Sequence, residues 1–356
     1  MHSETATCES DTLDVLLKPV DKSRFQCAAR RLDTLFKVYV STCPVPIPSH
    51  GVIITPEIRT QCERHLPITE VTAVFNRLYA AALTYPPILS STPFHNALSW
   101  ADVFAGLPPQ FQVSANPALL LELLLADRDL LTKFLFASFL PDRFYGCIGR
   151  YPEQRKFVGE WLKNRKGRTL NCLDAACGTG EDTYGLALLL SEAGVSPDDF
   201  RIDGWTLEPL EVWSAANRSF PHDRSREELL RGATSYLFQQ GYDRCINFSC
   251  RNILTSPSPS PPRKNRDIRG GENGLFDLIL CNGLLGGPIV HGREQLDRAV
   301  GNLAGLLSPG GILLAADRFH GGWKQKCPQK NLRALFEQFG LHSFEAGEGL
   351  GGLKPD

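Results

Sequence analysis

The chain has almost no excess of either charge, with 38 Lys and Arg against 39 Asp and Glu, a formal net charge of −1 over 356 residues. Without a global basic field, a nucleic-acid substrate is disfavoured. No C-x-x-C occurs among the eleven cysteines, and Cys172 alternates along an apparent strand while Cys177 sits in a glycine turn. Both read as small buried side chains, and no metal is expected. An odd cysteine count behind a polar, acidic opening, MHSETATCESD, predicts reduced thiols, no export or transit signal and a cytoplasmic setting. Long apolar runs are also missing. The greasiest stretch, Asn116 to Leu125, is soon followed by Asp127, Arg128 and Asp129 and contains Glu122, so it stops short of the ~18 apolar residues of a membrane span. It reads as a buried helix started by Asn116-Pro117.

The length exceeds one usual domain, so two domains, or one with a sizeable extension, are expected. Residues 1–22 are poor in apolar side chains and are expected to form a disordered tail. A helical region, 23–150, follows. Its first helix starts near Ser23 with Phe25, Leu32, Leu35, Phe36 and Tyr39 on one face, and ends at the proline-rich CPVPIPSHG. A second runs from Thr69 to Leu83. Phe94, His95 and Trp100 fall in a loop-rich stretch with no clear reading. Pro152 to Asn164 is a helix leading into Lys163, Arg165, Lys166 and Arg168, a solvated connector or a substrate-steering patch. Beyond it, 151–356 alternates strand and helix, which implies right-handed crossovers and a doubly wound, mostly parallel sheet with ligands at the strands' carboxyl ends. The polar segment 255–274 has the composition of a disordered insert. The glycine-rich C-terminus leaves room for little more than one strand.

The stretch that organises this second region is Thr169 to Leu190, TLNCLDAACGTGEDTYGLALLL. It reads as a strand ending at Asp174, a turn through Ala176, Gly178, Thr179 and Gly180, and a helix from Glu181. Glycines let a ligand approach the backbone, and the helix start offers free N–H groups and a positive dipole end. A P-loop would need Lys-Ser/Thr after the glycines and a dinucleotide fold G-x-G-x-x-G, whereas Glu-Asp follows here. That carboxylate pair suits a cationic ligand, and S-adenosylmethionine (SAM) carries an ammonium and a sulfonium. Other strand ends add contacts. Glu208, after the second strand, can accept from both hydroxyls of a ribose. Asn252 after the third can pair with an adenine edge, or cap a turn. Asn282-Gly283 follows the fourth, and Glu181 can hold the amino-acid part of the ligand.

These residues resemble the class I SAM-dependent methyltransferases, and within them the CheR chemotaxis-receptor methyltransferases. AACGTGEDTYGLA is similar to that family's A-x-C-x-T-G-E-E-x-Y-S-L-A. FDLILCNGLL resembles its F-D-x-I-F-C-R-N-V-L, CRNIL its N-L contact, and LLSPGGILL its L-x-P-G-G-x-L. The resemblance runs from about Phe139 to Ala316. It implies a Rossmann-like methyltransferase domain over 151–356 behind a helical N-terminal domain, SAM as cofactor, and Glu181, Glu208, Asn252, Ile253, Asn282 and Gly283 at its site. The sequence departs from the family where an acceptor would bind. FLFASFLPDRF replaces N-x-T-x-F-F-R, with Arg143 an approximate substitute, and the arginine and tyrosine of R-N-V-L-I-Y-F are gone after Asn282. The interval from Phe220 to Ile246, where some CheR proteins carry a docking subdomain, is short and mostly helical.

Methyl transfer from a sulfonium needs alignment more than covalent help. A carboxylate acceptor needs no base. For a hydroxyl or amine the candidate bases are His291 and, beside Asp317 and Arg318, His320, while Arg143 and Tyr145 could orient an anionic acceptor. The expected function is therefore SAM-dependent methyl transfer to a protein side chain or small molecule. The alternative is a non-catalytic SAM or S-adenosylhomocysteine (SAH) binding module acting through its N-terminal helices, the expected site of a protein partner. A nucleotide-dependent oxidoreductase conflicts with the acidic helix start.

Overall fold

The computed structural model describes residues 13–140, 147–165, 167–255, 275–287, 289–316 and 326–356. They fall into two compact units, one made from Ser10–Phe144 with Ser219–Ser225, the other from Tyr145–Arg218 and Arg226–Asp356. The expected insert lies almost wholly outside the described residues.

In the first unit the helices are α1 (Gln26–Thr42), α2 (Pro56–His65), α3 (Ile68–Ala82), α4 (Trp100–Gly106), α5 (Pro117–Ala126) and α6 (Arg128–Phe139). Asn116 caps α5 by accepting from the Ala118 N–H, as its position before a proline suggests. Phe75, Tyr79, Phe94, Trp100 and Phe134 form one stacked and tilted aromatic cluster. The stretch around Phe94 and Trp100 that resists sequence reading is therefore core. Its polar tips are matched: Tyr79 donates to Ser138 (2.9 Å) and the Trp100 indole to the Ala115 carbonyl (2.6 Å). Two further differences have simple causes. Thr55 caps α2 and Pro56 sits at its first turn, a start signal hidden by the breakers before it. Residues 13–22, expected to be disordered, contain a short 3-10 helix, Leu13–Val15, and buried Leu16 and Leu17. Leu17 bridges Leu83, and Lys18 donates to the Ala82 carbonyl. Adjacent leucines give this end enough apolar surface to dock.

The second unit contains α7 (Pro152–Lys163), β1 (Leu170–Asp174), α8 (Glu181–Glu192), β2 (Phe200–Thr206), α9 (Pro209–Asn217) and α10 (Arg224–Gln239, counted here from Arg226). After it come β3 (Ile246–Cys250), β4 (Phe276–Leu280), α11 (Arg293–Leu306), β5 (Leu307–Ala316), α12 (Gln329–Gln338), β6 (His342–Ala346) and β7 (Gly349–Leu353). The sheet order is β3-β2-β1-β4-β5-β7-β6. Pairings from β3 through β5 are parallel, and β7 runs antiparallel between β5 and β6. Chain order reverses between β1 and β4, which opens a crevice at their carboxyl ends.

The C-terminus makes two strands where one is expected. Glycine usually weakens a strand, but here it is what admits one. A Cβ on Gly349 would stand 2.1 Å from the Ala315 carbonyl oxygen, and one on Gly351 2.3 Å from the Phe344 ring. Only a bare backbone fits between β5 and β6.

Candidate functional site

The loop after β1 is tied to both neighbouring strands. The Ala175 N–H donates to the Leu280 carbonyl of β4 (2.7 Å) and the Cys177 N–H to the Trp205 carbonyl of β2 (3.0 Å). The turn closes when the Gly180 N–H reaches the Cys177 carbonyl (2.8 Å). Gly178 and Gly180 have φ of +50° and +91°. A Cβ on Gly180 would also lie 3.0 Å from Phe248 and 3.1 Å from Ala215. Glycine is thus required there by conformation and by space.

Three carboxylates surround this turn. Asp174, at the end of β1, is buried and accepts from the Thr183 hydroxyl (2.7 Å) and, at 3.4 Å, from the Ala176 N–H. Burial first, and then the neighbouring charge of Asp182, holds its carboxyl well above the usual carboxylate range. Burial raises Asp182 too, partly opposed by a hydrogen bond from Asn282 and by the charge of Arg150. Glu181 is differently placed. It accepts from the Thr179 hydroxyl (2.7 Å) and pairs with Arg226 of α10, whose Nε lies 3.2 Å from Glu181 Oε1 and whose Nη2 lies 2.6 Å from Thr179 Oγ1. Asp182 is one residue further round the helix, about 100° away, and faces Asn282.

Asn282 uses every polar atom of its side chain on the protein. Its oxygen accepts from Gln154 Nε2 and the Ala316 N–H, both at 3.0 Å, and its nitrogen donates to Gln154 Oε1 (2.9 Å) and Asp182 Oδ2 (3.2 Å). It braces α7, α8 and the ends of β4 and β5. Gly283, with φ +67°, donates its N–H to the Ala316 carbonyl (2.9 Å). Glu208 is buried at the start of α9, where its carboxylate accepts from the Leu210 N–H (3.2 Å). Glu211, one turn on, accepts from the Thr206 hydroxyl at the end of β2. Asn252 accepts from the Leu254 N–H (2.9 Å), so its oxygen caps a turn, and the Ile253 carbonyl accepts from Asn302 (2.7 Å).

The structure therefore gathers Asp174, Ala176, Gly178, Thr179, Gly180 and Glu181 in one turn and joins Asn282 to it through Asp182. Glu208 and Asn252 stand at their own strand ends with local partners. His291 is exposed just before α11. Arg143, Tyr145, Asp317, Arg318 and His320 lie outside the described residues. Gln154 and Arg226 carry no motif that would single them out, since their roles come from helices far along the chain. Asp182 is visible beforehand only as half of a carboxylate pair. A small cavity of about 40 Å³ lies beside this cluster, lined in part by Tyr151, Gln154, Asp182, Leu280 and Asn282. Among the described residues no group of His, Cys, Asp and Glu could hold a metal, and no helix is long and apolar enough to cross a membrane.

The architecture is Rossmann-like, a doubly wound and mostly parallel sheet with the glycine turn at the reversal of strand order. No family model matches the chain. In sequence it is similar to the probable biofilm formation methyltransferase WspC of Pseudomonas putida, 27% identical over 177 residues, covering 46% of this chain and 38% of that protein. It is 26% identical over 180 residues to the protein of the same name from Pseudomonas aeruginosa, covering 46% and 39%. The chain thus matches about two fifths of the length of these curated relatives. Solved structures that align with it include the N-methyltransferase NodS of Bradyrhizobium japonicum bound to SAH, with TM-score 0.37 and 16% identity over 65% of this chain and 100% of that one. A TehB-like SAM-dependent methyltransferase of Corynebacterium glutamicum aligns with TM-score 0.32 and 14% identity over 57% and 88%.

Proposed function

We propose that the chain is a CheR-like SAM-dependent methyltransferase whose cofactor lies over the glycine turn. The observation that carries this reading is the carboxylate pair of buried Asp174 and half-buried Asp182. The charged groups that act on Asp174 are Asp182 and Glu181, both negative, and a cationic ligand would add to the countercharge that Arg150 gives Asp182. Gly178 and Gly180 turn the chain at positive φ directly into the start of α8. SAM, when bound, would contribute an electrophilic methyl group on its sulfonium. The protein's part is alignment and exclusion of water. Asp174 and Asp182 hold the cationic end, Asn282 fixes Asp182, and Glu208 or Glu211 at the end of β2 faces the ribose. The resemblance of the glycine-turn motif to the CheR family makes a protein carboxylate the favoured acceptor, one that needs no base. The free thiols of the described cysteines favour a cytoplasmic setting. The helical unit, 23–150 by its sequence boundaries, is the favoured partner surface.

Calorimetric titration of the full chain with SAM and with SAH tests the cofactor. Saturable binding of both, weakened about tenfold by Asp182→Asn through loss of a charge-assisted contact, is the expected outcome; a folded protein that binds neither rules the reading out. The narrow cavity beside Asp182 and Asn282 favours a second reading, a module that binds the cofactor without transferring its methyl group. Incubation with methyl-labelled SAM and cell extract separates the two, since only the enzyme leaves label on protein.

A further inference from the structure

Two large apolar side chains stand on the outward side of α10, Leu229 at 74% exposed and Tyr236 at 52%. Seven residues apart, they lie within about 20° of each other around the helix. Gly232 and Ala233, both exposed, fall between them on the same stripe. The inward side of the helix is made by Leu230, Thr234 and Leu237, all buried, so the outward stripe is not what packs α10 onto its own unit. Gly232 is the telling residue. A glycine inside a helix destabilises it, because the unfolded chain has more freedom to lose. Yet Gly232 does not have positive φ, and a Cβ there would meet no atom within 4 Å. Neither conformation nor packing within the single chain calls for glycine. What a helix surface gains from it is room for the backbone of a second helix, with larger side chains closing around the contact.

The stripe reads the same in both directions: apolar, small, small, apolar. Two copies of α10 laid antiparallel about a two-fold axis between Gly232 and Ala233 bring Leu229 of each copy against Tyr236 of the other. Gly232 then meets Ala233, where the helices come closest. The edge of the stripe follows the same rule, since Glu228 of one copy lies beside Gln239 of the other, a carboxylate near an amide donor with no like charges opposed. Pairing of i with j and of j with i is what a two-fold contact requires, whereas a helix from an unrelated protein needs no such symmetry. We propose that Leu229, Gly232, Ala233 and Tyr236 of α10 form an antiparallel contact between two copies of this chain. One helix pair buries less than the ~1,200 Å² of the smallest stable interfaces, so the dimer is weak and reversible.

The test is the oligomeric state of the full chain, followed by sedimentation velocity from low to high micromolar concentration, with thermal melts alongside. The unaltered chain should pass from monomer to dimer over that range. Gly232→Gln fills the space between the copies and leaves the single chain at least as stable, because the position is open and glutamine favours helix. Its self-association should weaken about tenfold to a hundredfold, the loss found at central contact residues. Leu229→Lys and Tyr236→Glu should each weaken association alone. Mixed, the two variants should associate again, because the antiparallel pairing sets the new lysine of one against the new glutamate of the other. A chain that stays monomeric throughout overturns the proposal. So does a dimer that Gly232→Gln leaves intact, which would use another face, or a mixture no more associated than either variant by itself.

Discussion

Replacing Asn282 by alanine distinguishes a structural brace from a ligand contact. The substitution removes four hydrogen bonds. Gln154, only 4% exposed, would lose both bonds of its amide with little access to water, and the Ala316 N–H would lose its side-chain acceptor. Each net bond contributes about 1 kcal/mol, and a stranded buried amide costs about 1–3 kcal/mol. Partial relaxation and water entry offset some of this, leaving a loss of about 3 kcal/mol. For a unit of this size each kcal/mol lowers the melting temperature by about 2–4 °C, so a fall of about 6–12 °C is expected. The two units can unfold separately. The relevant transition is reported by Trp161, Trp205 and Trp213, which all belong to the α/β unit, and denaturant melts followed by calorimetry would resolve it. A variant that melts within about 3 °C of the parent, half the smallest expected shift, but no longer binds SAH would refute the argument. The Asn282 amide would then serve the ligand, and the bonds to Gln154 would be incidental.

The raised carboxyls of Asp174 and Asp182 make the unliganded protein's stability depend on pH in a fixed direction. In the unfolded chain these groups lose protons near pH ~4, while in the native state they keep them to higher pH, so the native state binds more protons and stability falls as pH rises through that window. A cationic ligand prefers the ionised pair, so its affinity should rise over the same interval with proton release on binding; both trends should flatten in Asp182→Asn, as read by denaturation and by calorimetry in buffers of different ionisation enthalpy. Gly180→Ala combines a positive-φ penalty of about 1–2 kcal/mol with crowding against Phe248 and Ala215 that costs about 1–3 kcal/mol. It should lose about 2–5 kcal/mol in a denaturant melt, and a change below ~0.5 kcal/mol, the size of an ordinary surface substitution, would show that the turn adapts freely.

The sequence alone determined the local devices. Asp174, Gly178, Gly180 and the acidic start of α8 are adjacent in the chain, and their meaning depends on backbone conformation, helix dipole and spacing, all short-range properties. The alternation of strand and helix likewise determined the doubly wound sheet, because right-handed crossovers leave few other arrangements. Tertiary structure decided how the polar side chains are spent. Asn282 meets Gln154 across 128 residues and Glu181 meets Arg226 across 45, and no local pattern encodes such pairs. Tertiary structure also decided the C-terminus, where glycines that would break an isolated strand are required because β5 and β6 leave no room for a Cβ. Hydrogen-bond partners and close packing are set by whatever the fold brings near, and that depends on the whole chain.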